Sequence, residues 1–345
     1  MGGRDDGKHP LCKLRAVYDA ADERIRDRSM KVLVTGATGQ VGNAVARALH
    51  QRGDTVVALA RDPGAAAELL PRGVTAVRGD VTDPASLRAA ADGCELVFNA
   101  MGIPEQWTRD DGVFERVNAR GSEAVVRAAR EAGARRVVHT STIDVFDAEP
   151  GARFDESRLA TGPKPTAYER SKQHAEELVL AARGEMELVL VNPSAVYGGG
   201  PGSASLDKQL FEPVARGRLP VLTPGGMGVV HASGAAAGHL LAAERGRDGE
   251  RYILSDRHVT LAELARTVVR VAGRGRVPPT LPVPVAHAVA ALGDALAALT
   301  GIPPLISRGQ LSFTLWNAAP DSTRAQEELG WEPTPLEDGI RAALA

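Results

Sequence analysis

"KVLVTGATGQVGNAVARAL", residues 31 to 49, decides how the rest of the chain reads. Lys31 to Thr35 form a short apolar run of strand character, and Gly36, Gly39 and Gly42 follow it into an amphipathic stretch that runs from about Val41 to Arg52. Glycine at these places allows a tight turn, lets backbone approach a pyrophosphate and lets the helix pack close to its strand. The free N–H groups and positive dipole end of that helix add an anion site. A glycine triplet alone is a weak signal, but a second apolar run, "TVVALA" at residues 55–60, follows the helix. Strand, glycine turn, helix and strand together predict a dinucleotide cradle, with Thr38, Gln40 and Val41 among its binding residues.

Beyond residue 60, short apolar runs keep alternating with helical stretches: "VTAVRGD", a short helix near Leu87, "ELVFNA", a long helix from about Val113 to Ala132, "RRVVHTST", a helix holding Tyr168, and "ELVLVNP". Strands apolar throughout and separated by helices require a parallel sheet covered on both faces. The expectation is an α/β fold with a doubly wound parallel Rossmann sheet over residues 30–192. A smaller, mostly helical substrate region over 193–345, partly interleaved with the sheet, should follow, with helices near 206–216, 233–245, 260–272, 284–300 and 322–330. Residues 1–29 read as an extension, either loose or one helix carrying Leu11, Leu14, Tyr18, Ala21 and Ile25 as a stripe.

Composition narrows the partners. Hydrophobic residues make up 43% and charged residues 24% of the 345, with a formal charge of -2, so no global field favours nucleic acid or an anionic membrane. Neither is expected as a partner. Cys12 and Cys94 show no metal or redox spacing, which points to a reduced, cytoplasmic setting, and no secretory leader is evident. The most apolar stretch, "VPVAHAVAALGDALAALTG" at residues 283–301, includes His287 and Asp294 and is rich in alanine; it reads as a core or pocket helix rather than a membrane span.

The cofactor type is read at the end of the second strand, where "VVALARDP" presents Ala60 and then Arg61. An acidic residue there takes the ribose hydroxyls of NAD, whereas an arginine pairs with the extra phosphate of NADP through parallel hydrogen bonds. Arg61 favours NADP; NAD stays open if Asp62 swings in. Asp80 and Val81 in "VRGDVTDP", and Asn99, Ala100 and Met101 in "NAMG", stand at the carboxyl ends of the next strands, where an open α/β sheet binds its ligand.

In "TAYERSK", residues 166–172, Tyr168 and Lys172 are four apart and share one helix face. An ammonium beside a phenol lowers its pKa toward the range of general acid-base work, and the same lysine can reach a nicotinamide ribose. The preceding strand, "VVHTSTIDVF", ends in Ser141 and Thr142, either able to orient a substrate oxygen.

"TGATGQVG", "GDVTDP", "VNARGSEAVVRAA", "TSTIDVF", "YERSK", "VNPSAVYGGG", "GERYILS" and "STRAQEELGWEPTPLEDGI", in that order over about residues 30–345, resemble the extended short-chain dehydrogenase/reductase superfamily. The resemblance implies Tyr168 as the acid-base, Lys172 as its partner and Thr142 as the likelier hydroxyl. It adds Asn192, Pro193 and Ser194 to the cofactor contacts and matches Asn118 to the family's helix asparagine. A homodimer through two long helices is the family's habit. The pattern is similar to the dihydroflavonol reductase and 3β-hydroxysteroid dehydrogenase group, which implies hydride transfer to or from a carbonyl or secondary alcohol. Two alternatives are nucleotide-sugar epimerases or dehydratases and non-catalytic NADP(H) sensors. The sugar-nucleotide enzymes carry an arginine where this chain has Met227, and two acids where it has Ser233 and Gly234. Asp144 aligns with a dehydratase glutamate but reads first as a loop or capping residue.

His139, His174 and His231 lack metal-site spacing, and no metal is expected. No G-x-S-x-G elbow occurs, which argues against an α/β-hydrolase. "SAVYGGGPGSASL" as a flap and the apolar stretch at 283–301 as a wall point to a hydrophobic or mixed cyclic ketone.

Overall fold

The computed structural model describes residues 29–199, 206–304 and 306–345. The stripe from Leu11 to Ile25, Cys12, and residues 200–205 of the flap lie outside them.

In chain order the strands are β1 (Lys31–Thr35), β2 (Thr55–Ala60), β3 (Thr75–Arg78), β4 (Leu96–Asn99), β5 (Arg136–Thr140), β6 (Arg153–Phe154), β7 (Glu187–Pro193), β8 (Ala195–Tyr197), β9 (Gly226–His231), β10 (Arg251–Leu254), β11 (Arg257–Thr260) and β12 (Ala319–Pro320). Seven of them form one sheet in the order β10-β7-β5-β4-β1-β2-β3. Every pairing in it is parallel. After β1 the chain builds outward through β2 and β3, then returns to lay β4 on the other side of β1. That reversal opens a crevice at the carboxyl ends of β1 and β4, where such sheets bind ligands.

Alternate residues of each strand feed two cores. Val32 and Val34 face Val45, Leu49, Leu240 and Trp331 on one side. Leu33, Val97 and Val137 face Leu87, Val125 and Val179 on the other. The helices Gln40–Arg52 and Ala232–Arg245 cover the first side; Pro84–Ala91, Ser122–Glu131 and Ala167–Ala182 cover the second. Apolar surface on both faces of every central strand is why these strands read as unbroken hydrophobic runs.

Three expectations change. The long helix expected over 113–132 is α-helical only at Gly112–Phe114 and Ser122–Glu131, with a wider π-helical pitch over Glu115–Gly121 between them. Such bulges gather at functional sites, and this one carries Asn118. The C-terminal region is less purely helical than expected, because β8, β9 and β11 form a second sheet and β10 joins the first. Its helices Ala232–Arg245 and Leu261–Ala272 form as read. Those expected near 206–216 and 322–330 are largely π-helical, at Asp207–Phe211 and Ala325–Leu329, and Arg308–Trp316 and Leu336–Leu344 are additional.

The third change concerns residues 283–300, which form the helix Val283–Thr300 but not a core helix. Only Ala286, Ala290 and Ala297 are buried in it, while Leu292, Leu296 and Leu299 are 63%, 51% and 84% exposed. The sequence is apolar all round, so it could not tell which face is covered. Small alanines line the side that packs on Arg308–Trp316, and the bulky residues fall on the other.

Candidate active site

The dinucleotide half of the crevice is built by close backbone approach. Gly36 sits at φ 72°, and a Cβ there would come within 2.5 Å of the Ala100 carbonyl oxygen and 2.6 Å of the Met101 Cα. A Cβ on Gly42 would stand 2.3 Å from the Gly36 carbonyl oxygen, so strand turn and helix meet at a distance only glycine permits. Gly39 precedes the helix with no side chain capping it, which leaves the first-turn N–H groups for an anion. Thr38, Gln40 and Val41 are half-buried beside it, and the Gln40 side-chain nitrogen is buried without a partner. A Cβ on Gly121 would meet Met101 and Val81 side-chain carbons at 2.9 Å, which brings those two expected contacts to the same wall. These residues fit a dinucleotide.

At the far end, Arg61 is exposed just past β2. Asp62 is occupied as the cap of the helix Pro63–Ala67, accepting from Gly64 N at 3.0 Å and Ala65 N at 3.2 Å. Arg78 pairs with Ala60 across β2 and β3 and donates to the Arg61 carbonyl at 3.1 Å. This second guanidinium was not anticipated; only strand register could have found it. Asp80 accepts from the Thr82 N–H and hydroxyl at 2.9 and 2.7 Å, and these bonds, with Arg61 nearby, hold its carboxyl below the usual range.

Two asparagines of the expected cofactor set spend their side chains inside the protein. Asn99 accepts from the Thr35 hydroxyl at 2.7 Å and pairs with His139 at 3.0 Å. Asn192 donates to the Thr142 carbonyl at 3.0 Å and to Glu176 at 2.9 Å. Both are fully buried, so these side chains hold neighbouring segments together, and a contact with the dinucleotide from these two positions falls to the backbone. Pro193 ends β7, and Ser194 follows with its hydroxyl buried and unpartnered.

The reaction half starts from the helix Ala167–Ala182, fixed by a capping box in which Glu169 N donates to the Thr166 hydroxyl at 3.1 Å and Thr166 N to Glu169 at 2.9 Å. Its first turns carry Tyr168, half-buried with its ring edge-on to Phe114 at 6.0 Å, and buried Lys172. Asn118, in the π-helical turn, accepts from Ile103 N at 2.7 Å and donates to the Ser171 hydroxyl at 3.1 Å, tying the loop after β4 to the Tyr168 helix. Its role here is structural.

The electrostatics differ from the expectation. Lys172 Nζ donates to the Thr140 carbonyl at 2.8 Å, and burial lowers its pKa to about 8 against the pull of Glu176 and Asp144. The Tyr168 phenol is pushed above its ordinary value, first by burial and then by Asp144, while the neighbouring Thr142 hydroxyl works the other way. The anticipated lowering by Lys172 is therefore outweighed, because the ammonium is anchored on the end of β5 and desolvation dominates.

Thr142 and Ser141 both stand at that strand end. Thr142 caps the short turn Ile143–Val145 and its hydroxyl donates to Asp144 at 2.9 Å. The Ser141 hydroxyl and Asp144 Oδ1 are buried without partners. Burial and the nearby Glu169 raise Asp144 to about 6. Glu105, which the sequence gave no reason to single out, is raised to about 7, chiefly by burial, and interacts with Asp144 and Glu169. It arrives from a loop, so no local pattern marks it.

The histidines make local contacts. His231 caps Ala232–Arg245, His239 bonds the Thr140 hydroxyl at 2.8 Å, and His174 pairs with Glu115 at 2.9 Å. No group of metal-binding residues occurs among the described residues. Met227, buried in β9, shares one apolar gap with Ile143, Phe313 and Trp316.

This chain is similar to sterol demethylase protein B of Methylococcus capsulatus, 31% identical over 321 residues, covering 92% of this chain and 98% of that one. It is also similar to 4-hydroxy-2-methyl-3-oxo-4-farnesyl-3,4-dihydroquinoline-1-oxide ketoreductase of Stigmatella aurantiaca, 32% identical over 272 residues, covering 77% and 80%. Among solved structures it superposes on gox2253 with TM-score 0.76 and 30% identity, covering 92% of this chain and 97% of that one. The UDP-glucose 4-epimerase of Thermotoga maritima shares the fold, at TM-score 0.74 and 20% identity, over 91% and 97% of the two chains. Residues 32–255 match the NAD dependent epimerase/dehydratase family, and the chain belongs to it, as an NAD(P)-dependent oxidoreductase of the short-chain dehydrogenase/reductase type.

Proposed function

We propose that this oxidoreductase reduces the ketone of a hydrophobic, cyclic or mixed substrate, or oxidises the corresponding alcohol, with a preference for NADP(H). The observation that carries the reading is the helix that bears Tyr168 and Lys172, with Lys172 bonded to the Thr140 carbonyl at the end of β5 beside Ser141 and Thr142, on the crevice whose other half is the glycine cradle. Burial holds the phenol above its ordinary pKa, so in this reading acid-base work near neutral pH requires the Lys172 ammonium to lower it. In this reading the Thr142 hydroxyl, with the unpartnered Ser141 hydroxyl beside it, holds the carbonyl oxygen. Tyr168 gives its proton to the oxygen as negative charge develops there. Lys172, anchored on the Thr140 carbonyl, supplies the positive charge that stabilises the phenolate left behind. The bound dinucleotide supplies the hydride or takes it back.

Buried Met227, standing where the sugar-nucleotide enzymes carry an arginine, supports a substrate without a diphosphate, since a guanidinium is what that group normally requires. The names of the two relatives, a sterol protein and a farnesyl-quinoline ketoreductase, support an apolar substrate. NADP preference is supported by Arg61 with Arg78 beside it and by the occupation of Asp62 as a helix cap. Asp144, raised to about 6 beside Thr142, favours a second reading as a sugar-nucleotide epimerase or dehydratase.

NADPH consumption measured against a panel of apolar ketones and sugar nucleotides separates the two. Ketone-dependent consumption is expected; turnover of a sugar nucleotide with no net consumption overturns the reading. Tyr168→Phe should bind NADPH normally and lose kcat by a factor on the order of 1,000 or more. A variant that keeps near-normal turnover defeats the assignment.

A further inference from the structure

Among the described residues, the exposed large apolar side chains are concentrated on one element. Val283, Val285, Val289, Leu292, Leu296 and Leu299 of the helix Val283–Thr300, with Ile302 just beyond, are 38% to 84% exposed. Contiguous apolar surface of this kind marks an interaction site. We propose that this face docks on a membrane, lying in the headgroup region of an anionic bilayer rather than crossing it.

Three observations select that occupant. The helix is long and apolar enough to span, yet its inner stripe of Ala286, Ala290 and Ala297 is packed on the protein, so only one side is free to meet lipid. That free side is apolar across its whole width: Ala288, Ala295 and Ala298 flank the large residues, and His287 and Thr300 are its polar members. A second helix docking through the Val285, Val289, Leu292, Leu296 and Leu299 stripe would call for charged flanks to set pairing and register, and the stretch from 283 to 304 holds one charged residue, Asp294, which is 25% exposed and pairs with Arg308. Charge complementarity adds to this. The Arg109 guanidinium lies against Gly301 at the helix C-terminus, and Arg308, its side chain 69% exposed although 3.6 Å from the Asp294 carboxylate, opens the next helix. Guanidiniums at the edge of an apolar face suit anionic headgroups, and an interfacial helix draws its affinity from buried apolar area plus that attraction.

The apolar helix is linked to the reaction half of the crevice through the helix it packs on. The helix Arg308–Trp316 that supports it places Gly309 against Glu105 and Thr166, at the start of the Tyr168 helix. Docking itself requires no turnover, so it is tested apart from the reductase reading.

The experiment is vesicle flotation of the full chain with phosphatidylcholine alone and with about 30% phosphatidylglycerol added. The wild type should float with the anionic vesicles and less with the neutral ones. Leu292→Glu/Leu296→Glu/Leu299→Glu should cut partitioning at least about ten-fold while melting temperature and NADPH binding stay unchanged. Arg109→Ala/Arg308→Ala should erase the preference for anionic lipid. Failure of the wild type to float, or flotation of the triple variant like the wild type, overturns the proposal. So does self-association that the triple variant abolishes when no vesicle binding is seen, which would identify a second copy as the occupant.

Discussion

The dinucleotide half of the crevice is made of backbone brought close by glycine, whereas the reaction half is made of buried side chains that titrate. Gly36, Gly39 and Gly42 act through what they lack, and Arg61 and Arg78 stand exposed at the far end. Within the reaction half, Lys172, Asp144 and Glu105 are all displaced from their ordinary pKa values, with burial the largest cause for each. The difference teaches where each half is vulnerable. A cradle fails sterically, from a single added carbon; a buried acid-base cluster fails electrostatically, and its cost changes with pH.

The sharpest way to break that contrast is Gly36→Val. A Cβ within 2.5 Å of the Ala100 carbonyl oxygen, at a positive φ, should raise the Kd for NADPH by about 100-fold or more and lower the melting temperature. Isothermal titration reads the first, and an unchanged Kd would mean the dinucleotide binds elsewhere.

Asp144→Asn tests the other half, and the sign can be worked out. Asp144 has its folded pKa raised from 3.8 to about 6, so its ionisation costs the folded state as pH rises through that window. The variant should match the wild type below about pH 4 and gain relative stability up to about pH 6, reaching at most about 3 kcal/mol. Urea unfolding at a series of pH values measures it, and a pH-independent difference would show that Asp144 does not titrate as a buried acid.

The smallest expected effect is at the exposed end of the cradle. Arg61→Ser should weaken NADPH about ten-fold and leave NADH nearly unchanged, as befits a solvent-screened guanidinium on a phosphate. Equal losses for both cofactors would remove Arg61 as the discriminating group.

Much of this was legible in sequence because it is local. The glycine turn and the placing of Tyr168 and Lys172 on one helix each need only a few consecutive residues. Other features come from distant parts of the chain. Glu105 meets Asp144 through a loop, and Arg78 meets Arg61 through strand register. The raised Tyr168 phenol also escaped the sequence, since four-residue spacing predicts the neighbour but not the burial or the hydrogen bond to Thr140 that claims Lys172.

By itself the sequence determined the parallel sheet, the order of its elements and the identity of the cradle, because periodicity and glycine placement act within a turn or a strand. Only the tertiary structure decided which polar groups are spent internally, as with Asn99 and Asn192, and which face of the helix Val283–Thr300 is bare. Burial belongs to the assembled chain: an apolar residue has the same sequence signature whether a neighbour covers it or not, and a carboxyl acquires its pKa only from what surrounds it.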